Sequence, residues 1–129
     1  MFYSGKTAFI EAIGRSQALI EFKPDGTIID ANQNFLKAVG YTLEEIRGKH
    51  HRMFVRPSEH GSAEYRAFWA QLARGENYAG EFRRVGKDGR DIWLQATYTP
   101  VFDRAGRTVK VLKIVSDISD AKRHSLEVA

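Results

Sequence analysis

Cysteine is absent from this sequence of 129 residues, so neither a disulfide framework nor a thiolate metal site can form. Long apolar runs are absent as well. No stretch approaches the roughly 20 consecutive apolar residues that a membrane-spanning helix needs, and the N-terminus lacks the layout of a signal peptide. These absences predict a soluble, cytoplasmic segment that does not insert into a membrane. Any bound metal would need His, carboxylate or a prosthetic group.

The composition is that of one soluble globular domain. Hydrophobic residues make up 43% of the chain and charged residues 28%, and the length suits a single core. The net charge of +4 is spread along the chain and interleaved with Asp and Glu, so it does not predict nucleic-acid binding. Arg83 and Arg84 are consecutive within an alternating pattern, so one of them must point into a cleft or away from solvent.

Catalytic motifs are missing too. The sequence has no Gly-x-Ser-x-Gly elbow, no phosphate-binding glycine-rich loop and no His-Glu-x-x-His metal motif. The adjacent carboxylates Glu44 and Glu45 are explained by the capping box that begins at Thr42. The sequence therefore predicts that this chain is not an enzyme.

The first half of the chain predicts a helix, a hairpin and further short helices. Phe9, Ala12 and Ile13 lie on one face of an amphipathic helix over residues 4–17. The turn Pro24-Asp25-Gly26 separates two strands, and Asn32 is placed to cap the helix that follows. Another helical pattern covers residues 62–72.

The last third predicts an antiparallel meander. Strand patterns cover residues 80–85, 91–102 and 108–118, and glycine-containing hairpin turns separate them. With the first hairpin they form a five-stranded antiparallel sheet with short helices on one face, an α+β domain with an N-terminal amphipathic helix. The expected pocket lies between the sheet and the helices.

Many of these residues together carry a family resemblance. From about Ala18 to Ile118 the sequence resembles the PAS family, specifically the PAS domains of bacterial aerotaxis and chemotaxis receptors. Its final Ser116-Asp117-Ile118-Ser119 resembles the Asp-Ile-Thr motif that precedes an output helix. The other matching residues are Pro24-Asp25-Gly26, Ala31-Asn32, Phe35, Gly40-Tyr41-Thr42-Leu43-Glu44-Glu45-Ile46, Gly48, His51, Met53, Trp69, Gly75-Glu76, Gly80, Lys87-Asp88-Gly89 and Trp93.

The resemblance implies a sensory domain of a chemotaxis transducer of the aerotaxis or energy-taxis type. Such a domain senses redox state, oxygen or a small ligand and relays it through a dimer and an output helix to a downstream signalling domain. The implied boundaries are an N-terminal cap at 1–17, the PAS domain at 18–119 and the start of an output helix at 120–129. The alternative is an input or dimerisation module of a histidine kinase or a cyclic-dinucleotide enzyme, without a cofactor.

Flavin adenine dinucleotide is the first cofactor that the resemblance implies. Aromatic rings can stack on the isoalloxazine, and Arg can pair with phosphates. At the position of Arg84 the aerotaxis receptor has an Asn that contacts the flavin. Asn can both donate and accept hydrogen bonds, whereas Arg can only donate them. The residues expected at the cofactor are Trp69, Tyr78, His51, Arg56, Arg84 and Asn34.

Haem is the second possibility, with His60 or His51 as the axial ligand, although His60 falls about one helical turn too early for the haem-binding PAS pattern. The third possibility is a core without a tight cofactor. The chain has enough bulky side chains to fill it: Phe35, Met53, Phe54, Phe68, Trp69, Phe82, Trp93 and Tyr98.

Two further expectations concern assembly and output. The apolar face formed by Phe9, Ala12 and Ile13 must be buried, which predicts a homodimer through the N-terminal helices. The last strand continues directly into the charged segment 120–123, so Asp117 is expected to couple the domain to an output helix.

Overall fold

The computed structural model describes the backbone of residues 4–117 and 119–122 and the side chains of residues 8–116 and 119–122. It contains four α-helices, α1 (Ser4–Ser16), α2 (Gln33–Val39), α3 (Leu43–Ile46) and α4 (Ala63–Ala73), with two 3-10 turns at His51–Phe54 and Pro57–Glu59. The strands are β1 (Ala18–Phe22), β2 (Ile28–Ala31), β3 (Tyr78–Val85), β4 (Asp91–Phe102) and β5 (Thr108–Asp117).

The five strands form one antiparallel sheet in the order β2-β1-β5-β4-β3. The first hairpin and the C-terminal meander meet where β1 pairs with β5. In the register of β4, Tyr98 lies opposite Lys113 on β5 and Tyr78 on β3. Because side chains on directly paired residues project from the same face, Tyr98 and Lys113 are neighbours on the sheet.

Local sequence signals begin and end the short helices as predicted. The Asn32 side chain accepts a hydrogen bond from the backbone N–H of Phe35, and Thr42 and Glu45 form both bonds of a capping box. Gly40 ends α2 with φ of 80°, a left-handed conformation that costs glycine little. These caps fix where α2 and α3 lie against the sheet.

The hydrophobic core lies between one face of the sheet and helices α2 to α4. Along β4 the buried residues are Ile92, Leu94, Ala96, Tyr98 and Pro100, which alternate with exposed or half-buried ones. Trp93 therefore points to the opposite face, where Lys122 lies over its ring. The prediction that Trp93 fills the core was wrong, because the alternation of β4 puts it out of phase.

The predicted α+β fold with a five-stranded antiparallel sheet is confirmed. The expected order of elements is observed, with α1 as the N-terminal helix before β1. Residues 119–122 are helical, at the expected start of an output helix, whereas Ile118 and residues 123–129 lie outside the described residues. Within the described ranges no helix is both long and apolar enough to cross a membrane.

Candidate functional site

Three polar side chains are buried in an otherwise apolar interior, and they lie close together. His51, Arg84 and Lys113 are the buried polar or charged residues of the described chain. They come from the first 3-10 turn, from β3 and from β5, and Tyr98 of β4 lies among them. We call these four residues the polar cluster.

His51 is held between two tyrosine hydroxyls. Its Nδ1 lies 2.7 Å from the Tyr65 hydroxyl oxygen and its Nε2 lies 3.0 Å from that of Tyr98. Complete burial, reinforced by the positive charges of Lys113 and Arg84, holds the pKa of His51 well below its usual value. The imidazole is therefore neutral, with one ring nitrogen donating and the other accepting.

The hydrogen bond from Arg84 determines which atom donates in each of the contacts that join Tyr98, His51 and Tyr65. The Arg84 guanidinium donates to the Tyr98 hydroxyl oxygen over 3.3 Å, so that hydroxyl is free to donate its proton to Nε2 of His51. His51 then carries its proton on Nδ1 and donates it to Tyr65. This tautomer follows from the network. Burial raises the pKa of Tyr65 to about 12 and also raises the pKa of Tyr98, so both remain protonated.

The first hairpin positions His51. The His51 backbone N–H donates to the carbonyl oxygen of Gly26, and the neighbouring His50 ring lies 2.7 Å from the Asp25 carbonyl oxygen. Gly26 has φ of 93°, and a Cβ there would lie 2.5 Å from Nε2 of His50. The turn therefore requires glycine both for its conformation and for the close approach of His50.

Arg84 lies on the inner face of β3 and is only 7% exposed. Its guanidinium carbon lies 4.7 Å from the centre of the Phe82 ring, a cation–π contact. Its two hydrogen bonds are long, to the Tyr98 hydroxyl and to the Arg83 carbonyl oxygen 3.4 Å away, and its Nε has no partner. The interpretation that one of the two consecutive arginines turns inward is confirmed by this position.

Lys113 is fully buried at the inner face of β5. Its ammonium nitrogen lies 4.8 Å from the centre of the Tyr98 ring and 5.8 Å from that of Phe35, and it makes no hydrogen bond. Burial and the charge of Arg84 hold its pKa well below the usual value. No carboxylate of the described residues is buried beside it, so the cluster combines two basic side chains without a compensating acid.

Aromatic side chains enclose the polar cluster. Helix α4 presents Tyr65, Phe68 and Trp69 at helical spacing, and the Phe68 ring centre lies 4.7 Å from that of Tyr98. Trp69 and Phe22 each pack edge-on against His51. The indole nitrogen of Trp69 is buried without a hydrogen bond of normal geometry, although it lies near enough to the Tyr65 hydroxyl to lower the pKa of that group. Three buried donor groups therefore lack partners within one enclosed region, which is uncommon in a folded interior.

This donor set fits a flavin ring only in part. An isoalloxazine presents several acceptors and one N–H donor, so the unpartnered donors can meet its acceptors, but none of them can accept from its N–H. A flat ring system also needs a slot, and the rings around His51 pack with centroid distances of 5.3 to 6.1 Å.

The histidines do not fit haem ligation, because the axial nitrogen must be free of other partners. Both ring nitrogens of His51 are hydrogen-bonded to tyrosines, and Nε2 of His60 lies 2.7 Å from the Val55 carbonyl oxygen. Within the described residues, no group of three or more His, Cys, Asp or Glu could hold a metal ion.

The structure brings together only some of the residues predicted from the sequence. His51, Trp69 and Arg84 meet in the interior, and Tyr78 lies at its margin, 40% exposed and packed on Phe68. Arg56 instead forms a two-pronged ion pair with Asp91.

Two other predicted residues lie away from the interior site. The Asn34 amide donates to backbone carbonyl oxygens at the end of α1, including that of Gly14 at 2.8 Å. These bonds fasten α1 to α2. The side chain of Asp117 is outside the described residues, so its expected role at the output junction stays a prediction.

Lys113, Tyr65 and the hydroxyl of Tyr98 were missed as site residues. Tyr98 had been assigned only as core bulk. A signal for Lys113 was present, because it occupies the inward phase between Val111 and Val115 in an apolar strand. A lysine in that phase must be buried, and the strand pattern alone was sufficient to find it.

An open cleft lies elsewhere on the described surface. It has a volume of about 840 Å³ and lies between the end of α2, the turn before β4 and residues 119–120. Several charged side chains at this cleft are already paired, Lys87 with Glu45, Arg90 with Asp88, and Asp91 with Arg56. The cleft therefore offers less unmet binding capacity than the polar cluster.

Comparison with known proteins agrees with this geometry. A family model described as the PAS fold matches residues 28–115. The chain is 50% identical over 107 residues to the biofilm dispersion protein BdlA of Pseudomonas aeruginosa, and 30% identical over 100 residues to the aerotaxis receptor of Escherichia coli. These matches cover 83% and 78% of the chain but only 26% and 19% of the relatives. The chain thus spans about a quarter or less of these proteins.

Solved structures show the same fold. A light-oxygen-voltage domain, reported in work on a flavin analogue and that domain's mechanism, superimposes with a TM-score of 0.73 at 25% identity. The superposition covers 93% of this chain and 92% of that one. The relatives and the fold together agree with a sensory role in signal transduction.

Proposed function

Because this chain belongs to the PAS family, we propose that it is the sensory input domain of a chemotaxis-type transducer and that the polar cluster is its sensing site. The similarity to an aerotaxis receptor favours a chemotaxis transducer over a histidine kinase or a cyclic-dinucleotide enzyme. In this role the domain binds and relays, and it catalyses no reaction. The proposed location is the cytoplasm.

One observation carries the proposal: the buried donors of Arg84, Lys113 and Trp69 have no acceptor. A buried polar group without a partner costs about 1–3 kcal/mol, and a buried charge costs more. Such groups do not stabilise the fold, but they can bind a ligand that supplies hydrogen-bond acceptors. Departures from a consistent core of this kind are expected at functional sites.

A relay from this site to the output segment is available through β3 and β4. Arg84 faces inward while the adjacent Arg83 faces outward and pairs across the sheet with Trp93. On that outer side the Trp93 N–H donates to the Ser119 hydroxyl, and Lys122 pairs with Glu81 at 2.6 Å. A shift of Arg84 on ligand binding would therefore move the strands that hold residues 119–122.

Flavin remains the alternative ligand, and the similarity to the light-oxygen-voltage domain is what favours it. The donor set and the close ring packing described above favour a smaller, acceptor-rich ligand. The two alternatives differ in a simple readout. A flavin gives the purified chain visible absorption bands, and a small organic ligand does not.

The proposed assembly is a homodimer that uses α1. Phe9 is 76% exposed and Ile13 is 43% exposed, with Ala12 on the same face, so this apolar surface is uncovered in the single chain. A helix of 13 residues is marginal by itself, and pairing would bury its apolar side. Light scattering at high micromolar concentration should report a dimer, and Phe9→Glu should shift the chain to a monomer.

The test of sensory function uses the full protein in its own cells. Arg84→Gln removes the charge of the polar cluster and keeps hydrogen-bonding capacity, whereas Arg83→Gln changes the adjacent outward residue as a matched control. Swimming cells are tracked while oxygen and nutrients are changed. The proposal expects the Arg84 variant to respond weakly at normal protein abundance and the Arg83 variant to respond like wild type. Equal responses from both variants and wild type would refute it.

A further inference from the structure

The polar cluster has a positive excess that nothing in the described interior balances. Arg84 cannot lose its proton in a protein, and it is 7% exposed. Lys113 is fully buried, and both side chains contact Tyr98, Arg84 at its hydroxyl and Lys113 over its ring. The only acidic protons nearby belong to Tyr65 and Tyr98, whose raised pKa values keep them neutral. An interior that holds a fixed cation and a second basic group is therefore suited to an anion.

We propose that Arg84 and Lys113 bind a small organic carboxylate between the sheet and α4. This inference rests on the proposed sensory function and names the ligand class of the same site. A carboxylate supplies acceptor lone pairs for the Nε of Arg84 and for the Lys113 ammonium. With the ligand present, the negative charge of the carboxylate offsets the charge of Arg84 and favours the ammonium form of Lys113.

The surroundings favour a carboxylate over phosphate. The interior donors without a partner are few, the Arg84 Nε, the Lys113 Nζ and the Trp69 Nε1. A planar monoanion can be satisfied by such a set, whereas a tetrahedral dianion loses more hydration energy and needs more donors. The remaining walls are the rings of Phe35, Phe68 and Phe82, which suit a short carbon skeleton.

Binding would also change the hydrogen-bond chain. Arg84 contacts the Tyr98 hydroxyl only over 3.3 Å, a weak bond that a carboxylate can replace with a stronger one. Tyr98 would then no longer accept a hydrogen bond from Arg84. Arg84 would no longer determine which atom donates in the contacts of His51 with Tyr98 and Tyr65. The ligand therefore has a physical means of altering the first 3-10 turn and α4, as well as β3.

The experiment begins with the purified 129-residue chain, denatured and extracted for mass spectrometry in negative-ion mode. The proposal expects a small carboxylate in the extract or, from the washed and refolded chain, concentration-dependent thermal stabilisation by acetate, lactate, succinate or malate. A ligand at concentration L that binds only the native state stabilises it by RT ln(1 + L/Kd), so the melting temperature rises with the logarithm of ligand concentration above Kd. Sodium chloride and inorganic phosphate at equal ionic strength should give a smaller shift.

The decisive variant is Lys113→Met, with Lys110→Met on the same strand as the matched control. Lys110 is exposed and pairs with Glu21, so its removal leaves the interior unchanged. Because a buried charge partner is lost, Lys113→Met should weaken carboxylate binding about thirtyfold or more. The same variant should melt at a higher temperature than wild type when no carboxylate is present. A residue with only a structural role would not show both changes.

Each result decides the matter. Equal carboxylate binding by wild type and Lys113→Met overturns the proposal, and so does the absence of any extracted or titratable carboxylate. A phosphate response larger than that of every carboxylate also overturns it. If the Arg84→Gln cells lose their response while no carboxylate binds, the sensory function stands and only the ligand class fails. If carboxylate binds but the cells respond normally, the binding site stands and its sensory role fails.

Discussion

The two halves of the interior are built differently. Around β1, β2, α2 and α3 the buried side chains are almost entirely aliphatic or aromatic, and each helix there has its cap. Around β3, β4, β5 and α4 the interior holds the polar cluster, with three donor groups that lack acceptors. Among the described side chains, the buried donors without a hydrogen-bond partner all lie in the second half.

This difference suggests a division of labour within one core. The capped, apolar half contributes stability, because its burial has no polar group to offset it. The polar half gives up stability to keep unpaired donors in a dry region. We therefore expect substitutions in the apolar half to lower the free energy of unfolding and apolar substitutions in the polar half to raise it.

The largest expected effect is a loss of stability in the apolar half. Ile46 is fully buried on α3, so Ile46→Ala should lower the free energy of unfolding by about 2–5 kcal/mol through lost burial and the cavity left behind. Denaturant titration measures this directly. Val109→Ala, at a position 43% exposed on β5, should change it by less than about 0.5 kcal/mol. Similar losses for the two variants would contradict the assigned core.

In the polar half the expected sign is reversed. Arg84→Met keeps the length and apolar stem of the side chain and removes a buried charge, so the anion-free chain should gain about 1–4 kcal/mol. Arg83→Met, one residue away and facing solvent, is the control, with a change of at most about 0.5 kcal/mol. Denaturation of the washed, refolded chain decides the sign. A clear loss for Arg84→Met would mean that Arg84 supports the fold.

The polar half should also make stability depend on pH. The pKa of His51 is lowered from 6.5 in the folded chain, so the unfolded state takes up a proton first as the pH falls. The contribution of His51 to stability is retained above pH 6.5 and lost below it, by up to about 1.4 kcal/mol per pH unit.

His51→Phe should reduce that slope between pH 6.5 and about pH 4.5, above the range where most carboxyl groups titrate. A slope should remain from His50, which is partly buried and has a lowered pKa, and from Lys113, whose pKa is lowered by burial. Thermal melts across this pH range measure the difference. An identical slope for wild type and variant would show that His51 is not neutral and buried in solution.

The smallest expected effect is at a cap of the apolar half. Thr42→Ala removes the hydroxyl that accepts the Glu45 backbone N–H, and should lower stability by about 1 kcal/mol without changing carboxylate binding. The exposed Thr97→Ala on β4 serves as the control. Loss of binding in the Thr42 variant would break the proposed separation of the two halves.

The apolar half could be predicted from the sequence because its signals are local. Asn32, Gly40 and Thr42 each act on the backbone within a few residues, so their roles can be predicted without knowing the tertiary structure. The turn at Gly26 was predicted for the same reason, although the close approach of His50 to it was not.

The polar half could be predicted only in part, because it is assembled from residues far apart in the chain. His51 and Tyr98 are 47 positions apart, and no local pattern pairs them. Trp93 was predicted in the core from its aromatic bulk, whereas the alternation of β4 places it on the opposite face of the sheet. Asn34 was assigned to the cofactor, whereas contacts with α1, which sequence spacing does not reveal, determine its partners.

The central claim is that the polar half holds a site for an anion, and the charge of Lys113 tests it most directly. Heteronuclear NMR of the lysine side-chain nitrogens at neutral pH can assign Lys113 by its absence in Lys113→Met and report whether it is an amine or an ammonium. The account predicts a neutral amine in the washed, refolded chain and an ammonium after saturation with the carboxylate found by titration. An unchanged charge state under both conditions would contradict it.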